Sequence, residues 1–262
     1  MASALFSRLF QQQRRPVAAP TTAGRLVYAV GDIHGRLDLL EPLLRDITED
    51  ALKSAPADRP VLVFLGDYVD RGPDSARVID LILEMEGAGA FETRTLKGNH
   101  EEALLEFLAD PGFGPVWLEH GGGATLAAYG VAPPATRTDM SAWAAARDAF
   151  AAVLPQRHLR FCETLELMVT VGDYAFVHAG VRPGVPLDRQ AEKDLLWIRG
   201  DFLEAKANFD KVIVHGHTPT TAPQVLPHRL GLDTGAYATG VLTAVRLDDE
   251  GSRILQSSAR RG

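Results

Sequence analysis

The sequence predicts an α/β fold, and three observations carry that prediction. Apolar runs of strand length alternate with longer stretches of helical period. Four of those runs, and a further strand candidate at 93–96, give way abruptly to Asp, Asn or His beside Gly or Ala. The chain has 262 residues, 46% of them hydrophobic, which suits one large domain with a substantial single core. In open α/β sheets ligands bind beyond the carboxyl ends of the strands, so the second observation also marks where function should lie.

The elements follow in order. A strand over 26–30 ends in Gly31-Asp32, and a helix is expected over 39–52. Asp38 and Glu41 are placed as its capping box, with Pro42 in the first turn, where a missing N–H costs little. A second buried strand over 61–65 ends in Gly66-Asp67 and leads to a helix over 75–86. A third over 93–96 ends in Gly98-Asn99-His100 and leads to a helix over 101–108. Two later runs, 174–177 and 212–214, deliver His178 and His215, and 241–247 is expected as an edge strand.

Residues 110–160 interrupt this rhythm with Gly121-Gly122-Gly123, Pro133-Pro134 and an Ala-rich helix around 141–153, read as a helical insertion beside the site. The domain is expected over 25–250, between tails at 1–24 and 251–262. The first tail holds Arg8, Arg14 and Arg15 and no acidic residue. Its Leu5, Phe6, Leu9 and Phe10 could share one helix face as a weak membrane or partner anchor, but disorder is the simpler expectation.

Composition narrows the classes. A net charge of -7 argues against non-specific nucleic-acid binding. No apolar run spans a bilayer. Cys162 is the only cysteine, so neither an intramolecular disulfide nor a CxxC zinc motif exists, which fits the reducing cytoplasm as the expected location. The sequence names no oligomeric state.

Five clusters carry the chemistry. Gly31-Asp32-Ile33-His34-Gly35-Arg36 can aim an oxygen and an imidazole at one cation, a mixed donor set that suits Mn, Fe or Zn better than Ca or Mg. Gly66-Asp67-Tyr68-Val69-Asp70-Arg71-Gly72 offers a carboxylate able to bridge two cations, and an arginine whose planar fork matches phosphate. Gly98-Asn99-His100-Glu101 offers a neutral oxygen and a proton donor, although alone it reads as a helix start with a capping Asn. Val177-His178-Ala179-Gly180 and His215-Gly216-His217-Thr218-Pro219 each place histidine after a strand. Any one of them could be a hydrogen-bonded core histidine. Together, in order, they describe a binuclear centre: Asp32, His34 and Asp67 on one ion, and Asp67, Asn99, His178 and His217 on the other.

These motifs resemble the calcineurin-like metallophosphoesterases, and within them the phosphoprotein phosphatase family, especially its bacterial and phage members. The resemblance runs from about 26 to 247. It implies a four-layer αββα sandwich, two central mixed β-sheets flanked by helices. It implies two divalent metal ions, with Mn favoured and Fe or Zn possible, that generate an attacking hydroxide. His100 is implied as the acid that protonates the leaving oxygen, and Asp70 as its partner. Arg71, Arg199 and Asn99 are implied as phosphate ligands, Arg199 from the run Leu195-Leu196-Trp197-Ile198-Arg199. Asp233, in Leu232-Asp233-Thr234-Gly235-Ala236, and His215 are placed just behind the ligands. Pro219 stands where nucleases of the wider group carry a further metal-binding His, which argues against a nuclease.

The leading expectation is therefore a protein serine/threonine phosphatase acting on phosphoproteins. The alternative is a dinucleoside polyphosphate hydrolase, such as a diadenosine tetraphosphate hydrolase, with a nucleotide substrate. A catalytically inactive scaffold is a third reading, set against retention of every ligand and of the Asp70–His100 pair. Trp117, His120 and Trp143 are candidate stacking surfaces, with plain packing the simpler expectation.

Overall fold

The computed structural model describes residues 19–206 and 209–258. The expected N-terminal tail lies outside these residues as far as residue 18. From Thr21 onward the chain is tied down. Asp249 accepts hydrogen bonds from Thr21 Oγ1 (2.6 Å), the Thr22 N–H (2.8 Å) and the Gly24 N–H (3.1 Å). Residues 21–24 thus belong to the folded body rather than to a tail.

The first half runs β1 (Val27–Val30), α1 (Leu37–Ser54), β2 (Val61–Phe64), α2 (Ser75–Ala88), β3 (Glu92–Thr95) and α3 (Asn99–Ala109). Four helices follow: α4 (Gly114–Glu119), α5 (Gly122–Ala128), α6 (Met140–Val153) and α7 (Gln156–Glu163). The second half runs β4 (Met168–Val171), β5 (Tyr174–Val177), α8 (Glu192–Trp197), α9 (Gly200–Leu203), β6 (Val212–His215), β7 (Gln224–Leu226) and β8 (Arg229–Gly231). It closes with α10 (Ala236–Thr239), β9 (Val241–Asp248) and β10 (Gly251–Ser258).

Two five-stranded mixed sheets result, ordered β10-β9-β1-β2-β3 and β4-β5-β6-β8-β7. Side-chain alternation assigns the layers. Val27 and Ala29 of β1 join Val61, Val63, Phe176, Val214 and Leu230 in a core between the sheets. Tyr28 and Val30 face the other way, into a core with Leu40, Leu43 and Ile79 of α1 and α2. Ala175, Val177 and Ile213 turn outward against Leu195, Ile198 and Phe202. The architecture is a sandwich of two sheets flanked by helices, and the parallel strands of both sheets end at one edge.

Three local expectations are corrected. Strand 241–247 is not an edge, because β10 pairs with β9 over eight residues and takes the outer position. The expected C-terminal tail is therefore a strand as far as Ser258; Ser257 Oγ ties it to the Leu39 carbonyl (2.6 Å). Asp38 does not cap α1 in a capping box. The helix starts two residues earlier than expected, and both carboxylate oxygens of Asp38 take Arg36 (2.7 and 2.8 Å). Pro42 accordingly falls in the second turn.

Candidate metal centre

The site is built from strand exits that bend sharply. Among the described residues seven non-glycines have positive φ, and five are His34, Asp67, Asp70, Arg71 and His217. Such conformations cost about 1–3 kcal/mol each and persist only where the surroundings enforce them. What enforces Asp67 is Glu101, fully buried at the start of α3. Its Oε2 accepts the N–H groups of Asp67 (2.9 Å) and Gly98 (3.0 Å), and its Oε1 those of Tyr68 (2.8 Å) and Val69 (3.2 Å). One carboxylate thus closes the Asp67 loop onto the next helix. Gly98 caps that helix, not Asn99, which leaves the Asn99 side chain for the site. A Cβ on Gly98 would run into the Asp67 carboxylate, and one on Gly216 into that of Asp32.

Asp67 sits at the middle. Its Oδ2 is 3.6 Å from His34 Nε2 and 3.8 Å from His100 Nε2; its Oδ1 is 3.5 Å from His178 Nε2. Two buried clusters share it, His34–Asp67–His100 and Asp67–His178–His217. Asn99 Oδ1 lies 2.9 Å from His178 Nε2 and 2.8 Å from His217 Nδ1. Asp32 joins neither cluster as a direct member. Its two oxygens accept the His217 N–H (3.2 and 2.9 Å), which joins the first cluster's loop to the second's.

Hydrogen bonding shows which atoms are left for a cation. His34 Nδ1 donates to the Val69 carbonyl (2.9 Å) and His178 Nδ1 to the Leu65 carbonyl (2.8 Å). A carbonyl can only accept, so the proton is on Nδ1 and Nε2 points inward. Burial pulls the His34 pKa down to about 3, so its Nε2 carries a lone pair facing a carboxylate. His217 Nε2 is buried with no hydrogen-bond partner. Burial pushes the Asp32 carboxyl up, and nearby Asp233 and Asp67 add to it. Around Asp67 burial also opposes charge, but His178, His100 and His34 outweigh it and hold the carboxyl below its usual range. Lone pairs and carboxylates thus converge in a buried site, an arrangement relieved by bound cations. The donor set fits divalent metals.

The remaining predicted residues divide. His100 Nδ1 lies 2.7 Å from Asp70 Oδ2, and burial, which disfavours its protonation, is outweighed by Asp67 and Asp70, which push its pKa to about 9. Asp70 also takes Trp117 Nε1 (2.9 Å) and Thr125 Oγ1 (2.6 Å). Trp117 and Trp143 are buried with Phe107 and Phe150, so they are core rather than stacking surfaces. Through Trp117 and Thr125 the helices of 110–160 hold the Asp70 carboxylate. Arg71 is exposed, with its guanidinium over the Tyr237 ring at 4.4 Å and Nη2 3.3 Å from His100 Nε2. Arg199 is exposed at the rim, 3.3 Å from Thr218 Oγ1. His215 points away, Nδ1 on the Gly216 carbonyl (3.0 Å) and Nε2 3.3 Å from Arg229; burial lowers its pKa to about 4. Asp233 Oδ1 takes the Gly235 N–H (2.8 Å).

Sequence reasoning missed Glu101, Thr125 and Tyr237. Glu101 stood inside a motif already singled out, but three of its four partners lie more than thirty residues upstream. Thr125 and Tyr237 carry no local signal.

The sequence profile of the calcineurin-like phosphoesterases matches residues 26–240, and the chain belongs to that family. It is a hydrolase of the metallophosphoesterase superfamily, for which divalent metals are the implied cofactor. A relative in Bacillus velezensis, a bis(5'-nucleosyl)-tetraphosphatase PrpE described as asymmetrical, is 26% identical and covers 87% of this chain and 92% of its own. A protein of the same name in Bacillus thuringiensis is 30% identical, covering 83% and 88%. Among solved structures, one assigned as a diadenosine tetraphosphatase superposes with a TM-score of 0.62 at 21% identity, over 94% of this chain and 98% of that one. A serine/threonine phosphatase from Saccharomyces cerevisiae gives 0.51 at 17%, over 91% and 81%, and shares the fold. The relatives overturn the leading expectation of a protein serine/threonine phosphatase: matched over most of both chains, they are named for a nucleotide. Among the described residues no helix is long and apolar enough to cross a membrane.

Proposed function

We propose that the chain hydrolyses dinucleoside polyphosphates, cutting them into unequal nucleotides. The observation that carries a phosphoryl-transfer site is Asp67, buried and shared between two histidine clusters beside two arginines. The nucleotide substrate is supported by the full-length relatives.

Asp32, His34 and Asp67 would hold one divalent ion, and Asp67, Asn99, His178 and His217 the other; the nitrogen and oxygen donors suit Mn, Fe or Zn. When bound, the ions acidify a water and draw charge from the phosphoryl oxygens. The protein's residues do the rest. Arg71 and Arg199 grip the non-reacting phosphate oxygens, Arg71 held flat by Tyr237. A water oxygen, its proton released to solvent, would bond to phosphorus as the bridging P–O bond opposite it breaks; His100 gives its Nε2 proton to the departing oxygen and is reprotonated from solvent. Asp70 keeps the imidazole aimed through Nδ1.

The test uses purified protein, stripped with chelator and supplied with Mn. Diadenosine tetraphosphate should yield ATP and AMP by anion-exchange chromatography, faster than a phosphoserine peptide is dephosphorylated. Turnover of the peptide alone would overturn the reading; equal release of ADP would overturn the unequal cut.

A further inference from the structure

Beside the centre lies a cavity of about 540 Å³ lined by Glu102, Glu106, Phe113, Glu192, Lys193 and Trp197. It adjoins the centre in two ways. Helix α3, which begins with Asn99 and His100, forms one wall. Trp197 forms another, its ring edge-on to His217 at 6.1 Å between centroids. The Trp197 indole is fixed by Glu102, whose Oε2 accepts its N–H at 2.6 Å, and Glu192 is held by Lys97 at 2.9 Å.

The lining selects its occupant. Three carboxylates outnumber the two amines, Lys193 in the lining and Lys97 on Glu192, and disfavour a phosphate chain. Two half-buried aromatics favour a flat, apolar ring. The oxygens not already engaged accept hydrogen bonds, so the occupant must donate them. A nucleoside has all three properties: a base to stack, and ribose hydroxyls or a base amine or imide to donate. Length sets which nucleoside. Glu102 and Glu106 lie three and seven residues past Asn99, about 5 and 10 Å along the helix. That is the reach of a nucleoside whose own 5′ phosphorus sits at the metal centre, with no room for further phosphates between.

We propose that this cavity binds the nucleoside attached to the attacked phosphorus, and so dictates the unequal cut. The proposal rests on the dinucleotide reading above. The water oxygen bonds to the α-phosphorus, the α–β bridging oxygen leaves with the nucleoside triphosphate, and the monophosphate stays with the cavity.

Hydrolysis of diadenosine tetraphosphate in ¹⁸O-water tests the placement. The label should enter AMP; label in ATP would overturn it. Phe113→Ala and Glu106→Lys test the lining. For each, kcat/KM on the dinucleotide should fall relative to that on p-nitrophenyl phosphate, which has no nucleoside, by about 5- to 150-fold for Phe113→Ala, carried mainly by KM. An unchanged ratio in both variants, with the dinucleotide still cleaved, would remove the cavity and leave the function. If the wild type ignores the dinucleotide but AMP inhibits p-nitrophenyl phosphate hydrolysis through Phe113, the function falls and the cavity stands. Neither cleavage nor inhibition would remove both.

Discussion

Replacing Glu101 by Gln probes the contact on which the Asp67 loop closes. The carboxylate receives four backbone N–H groups, two on each oxygen, all buried. Gln keeps the shape and one of the oxygens. Its amide nitrogen must face the other pair of N–H groups, donor against donor. Burial and the nearby Asp67 push the Glu101 pKa up to about 7; above that pH two hydrogen bonds to a charged acceptor are lost, worth about 1.5–3 kcal/mol each, so the variant should lose about 3–6 kcal/mol. Against a typical total of about 5–15 kcal/mol, that leaves it marginally folded. Urea unfolding followed by circular dichroism measures the loss, with Glu106→Gln, exposed on the same helix, as a control expected within about 0.5 kcal/mol. The loop carrying Asp67 should also loosen, weakening metal binding. A loss below about 1.5 kcal/mol with metal affinity intact would refute the reasoning, because it would mean that something other than this carboxylate holds Asp67 in its positive-φ conformation.

Other outcomes follow from the same geometry. Asp67→Asn should reduce bound metal, read by plasma mass spectrometry, whereas His100→Asn should keep two ions and lose about 100-fold in turnover, the low end for an acid because the departing phosphate is weakly basic; metal loss in His100→Asn would instead place that residue on the ion with His34. Mn at about a hundred times its dissociation constant should raise the melting temperature by about 5–10 °C over chelated protein, in differential scanning calorimetry. Gly98→Ala should cost about 1–3 kcal/mol by overpacking against Asp67 and depress activity further than stability. For Asp50, burial raises the pKa, but bonds from Tyr28 and Arg253 outweigh it and hold the carboxyl below its usual range. The folded pKa is thus the lower one, so this stabilisation is complete above the unfolded value near 3.9 and is lost as pH falls through the folded value. Asp50→Asn should flatten the acid limb of the melting-temperature profile; an unaltered limb would show the cluster contributes nothing.

How much was legible in the sequence follows from the range of each interaction. The strand exits at Asp32 and Asp67 could be read because an apolar run followed by Gly and a ligand is a local pattern, and those at Asn99 and His178 because a strand-length segment runs into Gly98-Asn99-His100 or directly into the His178-Ala179-Gly180 turn. The helix expected over 75–86 and found at Ser75–Ala88 was legible because helical period is likewise a local pattern. Strand β10 was not, because only two of its eight residues, Ile254 and Leu255, are large and apolar, and it is held by pairing with β9. Asp38 misled because a nearby Arg36 competes for the same carboxylate that a helix start would use. Glu101 was visible as a letter of a motif but not as a hub, since its donors are three N–H groups some 32 to 34 positions away, besides Gly98. The substrate was the least legible feature. Ligands for the ions are few and spaced by motif, whereas the cavity wall at Glu102, Phe113 and Trp197 is assembled from three segments with no shared pattern.

The two clusters around Asp67 come from different halves of the chain. Asp32, His34, Asp67, Asn99 and His100 follow strands of the first sheet, while His178 and His217 follow strands of the second. A nascent chain that has emerged only through α3 can assemble one cluster but offers the second ion only Asp67 and Asn99, without either of its histidines. The full charge of metal can be accepted only after both sheets have docked, so the ions act as a rivet driven last. Metal starvation would then leave the sheets joined by their apolar core alone, a less stable molecule whose exit edge, where the ligand loops meet, is the first place a protease would find open.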